Sequence, residues 1–356
     1  MLKIGVNGFG TIGRRVASAV QKQKDMRLIG VSDISPSWKS YYADMNTSLF
    51  LSLREYSSNE HEQFQVGKKA FMDVGIEPKG TILDLVNEAD LIVDCTPKNI
   101  GKLNKEIVYS RKKDLHATFQ GGEKASVAKV TFNAEINYKD AVGQQFVRVP
   151  SCNTTGMLRY LNCIQKVSDI KNVVVNLIRR GGDPPEPDAG PINDYIPTEI
   201  PSHHADDVLT VDSRLDGKLI TYGSVVPVTL MHMHNVIAIG DFPSREKILD
   251  AFFDSPRIVV VGGVGESAPT AAEILEANER CNLYQIPVLE KTVYVHDNML
   301  LFSTYVHQEA DVVPENIDAI RASLGFEDAE ESMQMTNISL NLNETKKKLE
   351  KLFPVF

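Results

Sequence analysis

Short apolar runs, barely interrupted by polar residues, fill the first third of the chain and alternate with stretches of helical period. Lys3 to Asn7 and Arg27 to Ser32 read as strands, with a helix over Thr11 to Gln23 between them. Asp90 to Cys95 (DLIVDC) and His116 to Phe119 read as two more, separated by a helix around Leu103 to Arg111. Near-continuous apolar strands with intervening helices mark a parallel sheet covered on both faces. After Cys152 the texture changes. A helix over Asn153 to Val167 precedes strand-like segments at Asn172 to Ile178, Ser224 to Val228, His234 to Ile239, Arg257 to Val261 and Thr292 to Val306. Helices over Arg245 to Phe253 and Thr270 to Asn278 sit among them. This order predicts an α+β domain with a mostly antiparallel sheet and helices on one side. The boundary falls at Val149 to Ser151, so residues 1–150 form the first domain and 151–313 the second. The stretch from Pro314 on (about 314–356) is predicted helical and to pack back on the first domain, with Glu344 to Lys351 as a solvated helix end. Gly181 to Pro191, rich in Pro and Gly, is expected to be an irregular exposed loop.

Two domains also follow from length, because 356 residues exceed what one core usually serves. No window approaches the ~18 apolar residues of a membrane helix. Met1 to Val6 enters a strand at once, which leaves no room for a signal peptide and implies a cytoplasmic protein. The net charge of −9 argues against nucleic acid as the main partner, though focused arginines can still hold anionic small molecules. Cys95, Cys152, Cys163 and Cys281 show neither paired nor zinc-like spacing, so four free thiols are expected.

Gly8-Phe9-Gly10-Thr11-Ile12-Gly13 fits G-x-G-x-x-G, follows the strand ending at Asn7 and opens a helix. Asp33 ends the second strand about twenty residues on, the spacing of a Rossmann-type dinucleotide site. The first glycine allows the tight turn, the second lets backbone approach a pyrophosphate, and the third permits close helix–strand packing. A carboxylate at Asp33 accepts hydrogen bonds from ribose hydroxyls and repels a 2′-phosphate, so NAD is expected over NADP. Lys39 and Arg180 are the cations that would favour NADP instead. The blander alternatives are a glycine-rich turn that binds nothing, and Asp33 as a turn or cap residue.

Ser151-Cys152-Asn153-Thr154-Thr155-Gly156 lies at the domain junction, just before a helix. A thiol there faces free N–H groups and the positive end of the dipole, which favours the nucleophilic thiolate. The alternative is a plain helix cap in which Cys152 fills space. Cys95 in an apolar strand and Cys163 on a helix face read as small buried hydrophobes.

These motifs, with FQGGEK (Phe119 to Lys124), RRGGDP (Arg179 to Pro184), GPIN (Gly190 to Asn193), PSHHAD (Pro201 to Asp206), TLMHMHN (Thr229 to Asn235) and HQEADVVPEN (His307 to Asn316), resemble the archaeal-type glyceraldehyde-3-phosphate dehydrogenase family over nearly the whole chain. Departures are Pro150 before the cysteine loop, Ala205 where glycine is usual, a long Trp38 to Glu62 segment, and Asp33 where the family often carries lysine.

The resemblance implies a phosphorylating oxidation. Cys152 adds to the aldehyde of glyceraldehyde 3-phosphate, His232 acts as the base, and inorganic phosphate attacks the resulting thioester. Imidazole titrates near neutrality, as that role asks. Asn7, Gly8, Gly10, Thr11, Ile12, Gly13, Asp33, Gly122, Arg180 and Gln308 are the implied cofactor-binding residues. Ser151, Cys152, Asn153, Thr154, Arg179, His204 and Ala205 are those for substrate, with the Ala205 N–H expected to be available although φ > 0 there would be costly. The family also implies a homotetramer. His232 and His234 share a strand face and, with His203-His204, could alternatively bind zinc. Rival functions are an aspartate-semialdehyde-type dehydrogenase, a cysteine hydrolase with a vestigial nucleotide fold, and a non-catalytic NAD-sensing module.

Overall fold

The structure, a computed structural model, describes residues 1–52, 59–182, 191, 193–263 and 267–355, and the chain divides into two compact units. The first comprises Met1–Pro150 and Val313–Leu340, the second Ser151–Val312 and Asn341–Phe356. Most of the loop expected at Gly181 to Pro191, its residues 183–190, lies outside the described residues, as does part of the long Trp38 to Glu62 segment, residues 53–58.

In the first unit the elements run β1 (Leu2–Asn7), α1 (Thr11–Gln21), β2 (Met26–Asp33), α2 (Trp38–Asn46), β3 (Leu49–Leu51), α3 (Glu60–Asp73), β4 (Gly80–Thr81), α4 (Ile82–Glu88), β5 (Leu91–Asp94), α5 (Ile100–Ile107), β6 (His116–Gln120), β7 (Val130–Thr131) and β8 (Phe146–Val149). The strands form one parallel sheet in the order β4-β3-β2-β1-β5-β6-β8-β7. Its two faces hold separate cores. Register places Ala117 opposite Phe146 and Phe119 opposite Arg148, so Val147 and Val149 point the other way. Accordingly Ala117 and Phe119 pack with Ile92, Leu85 and Tyr109, while Val147 and Val149 pack with Phe132, Tyr138, Ala319 and Ala322.

The second unit contains α6 (Cys152–Gln165), β9 (Asp169–Arg180), β10 (Ile196–Pro197), α7 (His204–Leu209), β11 (Leu219–Val226), β12 (His232–Asp241), α8 (Arg245–Asp254), β13 (Ile258–Val261), α9 (Ala271–Ala277), β14 (Ile286–Leu289), β15 (Tyr294–His296) and β16 (Met299–Val306). Their order is β10-β11-β9-β12-β16-β14-β13, with β15 on β16. The expectation of a mostly antiparallel sheet needs correction. The sheet is mixed, because β9 and β11 run parallel, as do β13 and β14. In each pair the connection carries a helix, α7 or α9, and such a crossover returns the chain in the same direction. The segment Thr292 to Val306 is a hairpin and not one strand, since Asp297 turns the chain at φ 48°.

Beyond residue 313 three helices follow: α10 (Val313–Ser323), α11 (Ala329–Ser339) and α12 (Leu342–Leu352). The first two belong to the first unit, where the buried Arg321 grips both carboxylate oxygens of Asp25 (2.8 and 3.0 Å) and Gln23 Oε1 (2.8 Å). The last helix belongs to the second unit and not the first, and it is solvated along Glu344, Lys347 and Lys351 while packing through its buried leucines. Leu342 and Leu349 are buried, and Leu349 and Phe353 enter the cluster of Val259, Val261 and Ile274. Among the described residues no helix is long and apolar enough to cross a membrane.

Candidate active site

In the first unit the glycine motif turns out of β1. Gly8 has φ +89°, and a Cβ there would come within 2.8 Å of the Cys95 carbonyl. A Cβ on Gly13 would overlap the Gly8 carbonyl oxygen at 2.0 Å, so α1 lies against the turn as closely as backbone permits. Above Gly10, by contrast, nothing comes within 4 Å of a Cβ position. Open space over the residue that caps α1, with no acidic side chain in the helix's first turn, fits a pyrophosphate. Thr11 and Ile12, half-buried in that turn, lie beside it. Asp33 ends β2, half-buried, its Oδ1 accepting the Ile34 N–H at 2.7 Å. Burial pushes its carboxyl up, opposed by that N–H and by Lys39. Gly122 stands exposed beyond β6, after a turn at Gly121 with φ +81°.

Asn7 does something other than expected. Its Nδ2 donates to Tyr109 Oη at 2.9 Å, and its Oδ1 accepts from Ser32 and Ser52, each at 2.8 Å. Tyr109 and Asn104 in turn donate to Asp94 Oδ2 at 2.5 and 2.7 Å. The buried amide therefore ties together the C-terminal ends of β1, β2 and β5, and is not a side chain directed at a ligand. Sequence reasoning missed this network, since Asn7 and Tyr109 lie 102 residues apart.

The second unit places Cys152 in the first turn of α6, with Ser151 at the N-cap and Ser151 Oγ 3.1 Å from Thr154 Oγ1. The residue as a whole is half-buried. The helix does not suffice to ionise it: burial and the nearby Asp311 push the thiol up, against the pull of Arg180, the Asn153 N–H and Arg179. Cys95 is likewise pushed up by burial and Asp94, Cys163 is buried, and Cys281 is exposed.

His232 opens β12 and is buried, and its Nδ1 accepts the backbone N–H of Arg180 at 2.9 Å. Burial first, then His234, Arg180, Arg179 and His204, hold the ring well below the usual histidine range. The neutral ring carries its hydrogen on Nε2, which makes that nitrogen a donor.

Three other expectations change. The Arg180 Nη1 donates to Glu309 (2.9 Å) and to the Thr229 and Leu230 carbonyls, a fully buried ion pair and not a cofactor-facing cation. The Ala205 N–H is already engaged by Ser202 O and Thr221 Oγ1 (3.3 and 3.1 Å), and its place within α7 removes the question of positive φ. Both ring nitrogens of His204 are engaged, by Ser202 Oγ at 3.1 Å and Asn153 at 3.4 Å. Arg179 differs from its neighbour in being half-buried, whereas Arg180 is buried in its pair with Glu309. Gln308 is half-buried in the turn after β16. Among the described residues no group of three or more His, Cys, Asp or Glu side chains is placed to hold a metal ion.

Comparison with known proteins accounts for both units. Residues 2–102 match the model of the glyceraldehyde 3-phosphate dehydrogenase NAD binding domain, and residues 151–281 that of the glyceraldehyde 3-phosphate dehydrogenase C-terminal domain. The glyceraldehyde-3-phosphate dehydrogenase of Sulfurisphaera tokodaii is 42% identical over 349 residues, covering 96% of this chain and 97% of its own. That of Metallosphaera sedula is 42% identical over 351 residues, with 96% and 98% covered. That of Methanobrevibacter smithii is 40% identical over 353 residues, with 96% and 100% covered.

Proposed function

The chain belongs to the glyceraldehyde-3-phosphate dehydrogenase family, and on that premise we propose that it catalyses the reversible, phosphorylating oxidation of D-glyceraldehyde 3-phosphate to 1,3-bisphosphoglycerate. The observation that carries the reading is the partly exposed Cys152 at the start of α6, with the charges of Arg179 and Arg180 acting on its sulfur.

Cys152 gives its proton to bulk water and its sulfur adds to the aldehyde carbon, the carbonyl π bond breaking to leave an alkoxide on the former carbonyl oxygen. The His232 Nε2–H donates to that oxygen, the role of an oxyanion donor. Service as a base at Nε2 would need the other tautomer, with Nδ1–H facing the Arg180 N–H donor to donor. When bound, the dinucleotide supplies the hydride acceptor that turns the adduct into a thioester. Phosphate then attacks the thioester carbon, the carbon–sulfur bond breaks, and Cys152 leaves as thiolate. Arg179, with its guanidinium Nε lacking a protein partner among the described residues, is the cation for a phosphate group. Ser151 and Thr154, bonded to each other, supply hydroxyls beside the nucleophile.

Gly8, Gly10, Thr11, Ile12, Gly13 and Gly122 would hold the dinucleotide, and Asp33 at the end of β2 favours NAD over NADP through its repulsion of a 2′-phosphate. Exposed Ile220, Ile237 and Ile239 with Met299 line one face of the second unit's sheet, in register across β11, β9, β12 and β16. Such a stripe supports association with further copies of the chain, and our reading is of a homotetramer in the cytoplasm.

Absorbance of reduced nicotinamide, with glyceraldehyde 3-phosphate, NAD and phosphate or arsenate, tests the reading. Turnover should vanish in Cys152→Ser while NAD binding stays. Preference for aspartate semialdehyde, or full activity of the serine variant, would overturn it.

A further inference from the structure

We propose that His234 and Tyr160 are positioning residues of this reaction, which with His204 lock the side-chain amide of Asn153 in one orientation beside the nucleophile. The inference rests on the reading of Cys152 given above.

The hydrogen bonds can be directed one by one. Thr221 has one hydroxyl hydrogen, which goes to the Ser202 carbonyl at 3.0 Å, while its oxygen accepts the Ala205 N–H at 3.1 Å. Ser202 Oγ, 2.8 Å from Thr221 Oγ1, must therefore donate to it. Having given its hydrogen, Ser202 Oγ can only accept from His204 Nδ1 at 3.1 Å, so that nitrogen carries the hydrogen. Burial, helped by His203, Arg179 and His234, pushes His204 down to about 3, and the neutral ring leaves Nε2 bare. The bare nitrogen faces Asn153 Nδ2 at 3.4 Å and accepts from it. On the amide's other side, Asn153 Oδ1 lies 2.9 Å from His234 Nε2, which must donate. Burial likewise pushes His234 down to about 3, so its Nδ1 is bare and accepts the Tyr160 hydroxyl at 3.1 Å.

The chain thus runs from Tyr160 through His234, Asn153, His204 and Ser202 to Thr221 in one direction. Turning the amide over would set the Asn153 oxygen against the bare His204 nitrogen and its NH₂ against the His234 donor. Tyr160 is itself held, edge-on to His234 at 79° and to Phe302 at 84°. Everything in the chain except Asn153 points away from chemistry, since each polar atom is used internally. Asn153 is the exception: one Nδ2 hydrogen goes to His204, and the second has no partner among the described residues. Asn153 follows Cys152 in the first turn of α6, and the proposal assigns this hydrogen to the oxygen of a substrate attached to that sulfur. Neither His234 nor Tyr160 touches substrate in this scheme; they act through Asn153.

A double-mutant cycle tests the proposal, read as kcat with glyceraldehyde 3-phosphate, NAD and phosphate. His234→Leu should lower kcat by one to two orders of magnitude, as misplacement of a reacting group does, with KM for NAD unchanged. In an Asn153→Ala background the same change should have little further effect. His234→Gln, which keeps a donor near the Nε2 position, should recover most of the loss. Tyr160→Phe runs the same cycle without a volume change if His234→Leu does not fold. Equal effects of His234→Leu, or of Tyr160→Phe, with and without Asn153 would overturn the proposal, as would an undiminished kcat. Failure of the underlying reading looks different, because the unaltered protein would then oxidise no aldehyde or Cys152→Ser would remain active.

Discussion

The backbone N–H of Arg180 donates to Nδ1 of His232 at 2.9 Å, and that bond fixes which ring nitrogen is left free of backbone contact to act in the proposed reaction. Nε2 carries the hydrogen, and the buried ring stays neutral because burial and neighbouring positive charge hold it well below the ordinary histidine range. Replacement by a side chain that cannot reach the oxyanion should therefore cost what loss of such a donor costs. His232→Ala is expected to lower kcat on the order of 10²- to 10³-fold while KM for NAD holds. Stopped-flow measurement of the first turnover isolates the step. A loss confined to KM would remove His232 from the chemistry.

Asp33 makes a second prediction. Its carboxyl ends β2 and already accepts the Ile34 N–H at 2.7 Å, which orients it. In Asp33→Ala the repulsion of a 2′-phosphate disappears together with the acceptor for ribose hydroxyls. The ratio of kcat/KM for NADP to that for NAD should rise on the order of tenfold or more. Steady-state kinetics with both dinucleotides measures it, and an unmoved ratio would relieve Asp33 of discrimination.

Features carried by contiguous residues were readable before any coordinates. The glycine turn, the helix starting at Cys152 and the parallel character of the first sheet all arise from local spacing and near-neighbour sterics. Strands β4 and β7, of two residues each, are too short to show a period. The exchange of α12 into the second unit was visible in principle, because Leu342, Leu349 and Phe353 recur on one helical face, but six lysines and glutamates among them conceal it. What could not be read were the long-range polar bonds. Nothing in the sequence says that Asn7 answers to Tyr109, that Arg180 turns inward to Glu309, or that Thr221 occupies the Ala205 N–H. Those bonds reassign three residues whose motif position alone suggested contact with ligand.

The adjacent arginines should separate cleanly. Arg180 and Glu309 have side chains 1% and 6% exposed, so Arg180→Gln leaves a buried carboxylate without its cation. Breaking such a pair from one side costs about 3–5 kcal/mol, seen as a lower urea midpoint. Arg179→Gln should leave that midpoint alone and raise KM for glyceraldehyde 3-phosphate or phosphate roughly tenfold or more. The reverse pattern, a stable Arg180 variant with weak anion binding, would exchange their roles.

Acid stability follows from the buried histidines. His204 and His234 are both pushed from 6.5 down to about 3 on folding, chiefly by burial. Between those values the unfolded chain binds the proton that the folded one refuses, so protonation favours unfolding. The stabilising contribution is complete above pH 6.5 and drains away as pH falls toward 3, each histidine adding up to about tenfold in the folding equilibrium per pH unit. The urea midpoint should therefore drop between pH 7 and pH 5, before most carboxylates titrate. His234→Gln removes one of these groups while keeping a hydrogen-bonding side chain, and its midpoint should fall less steeply over the same interval. Parallel curves for the two proteins would mean that His234 is protonated in the folded state, and the directed chain from Tyr160 to Thr221 would then have to be redrawn.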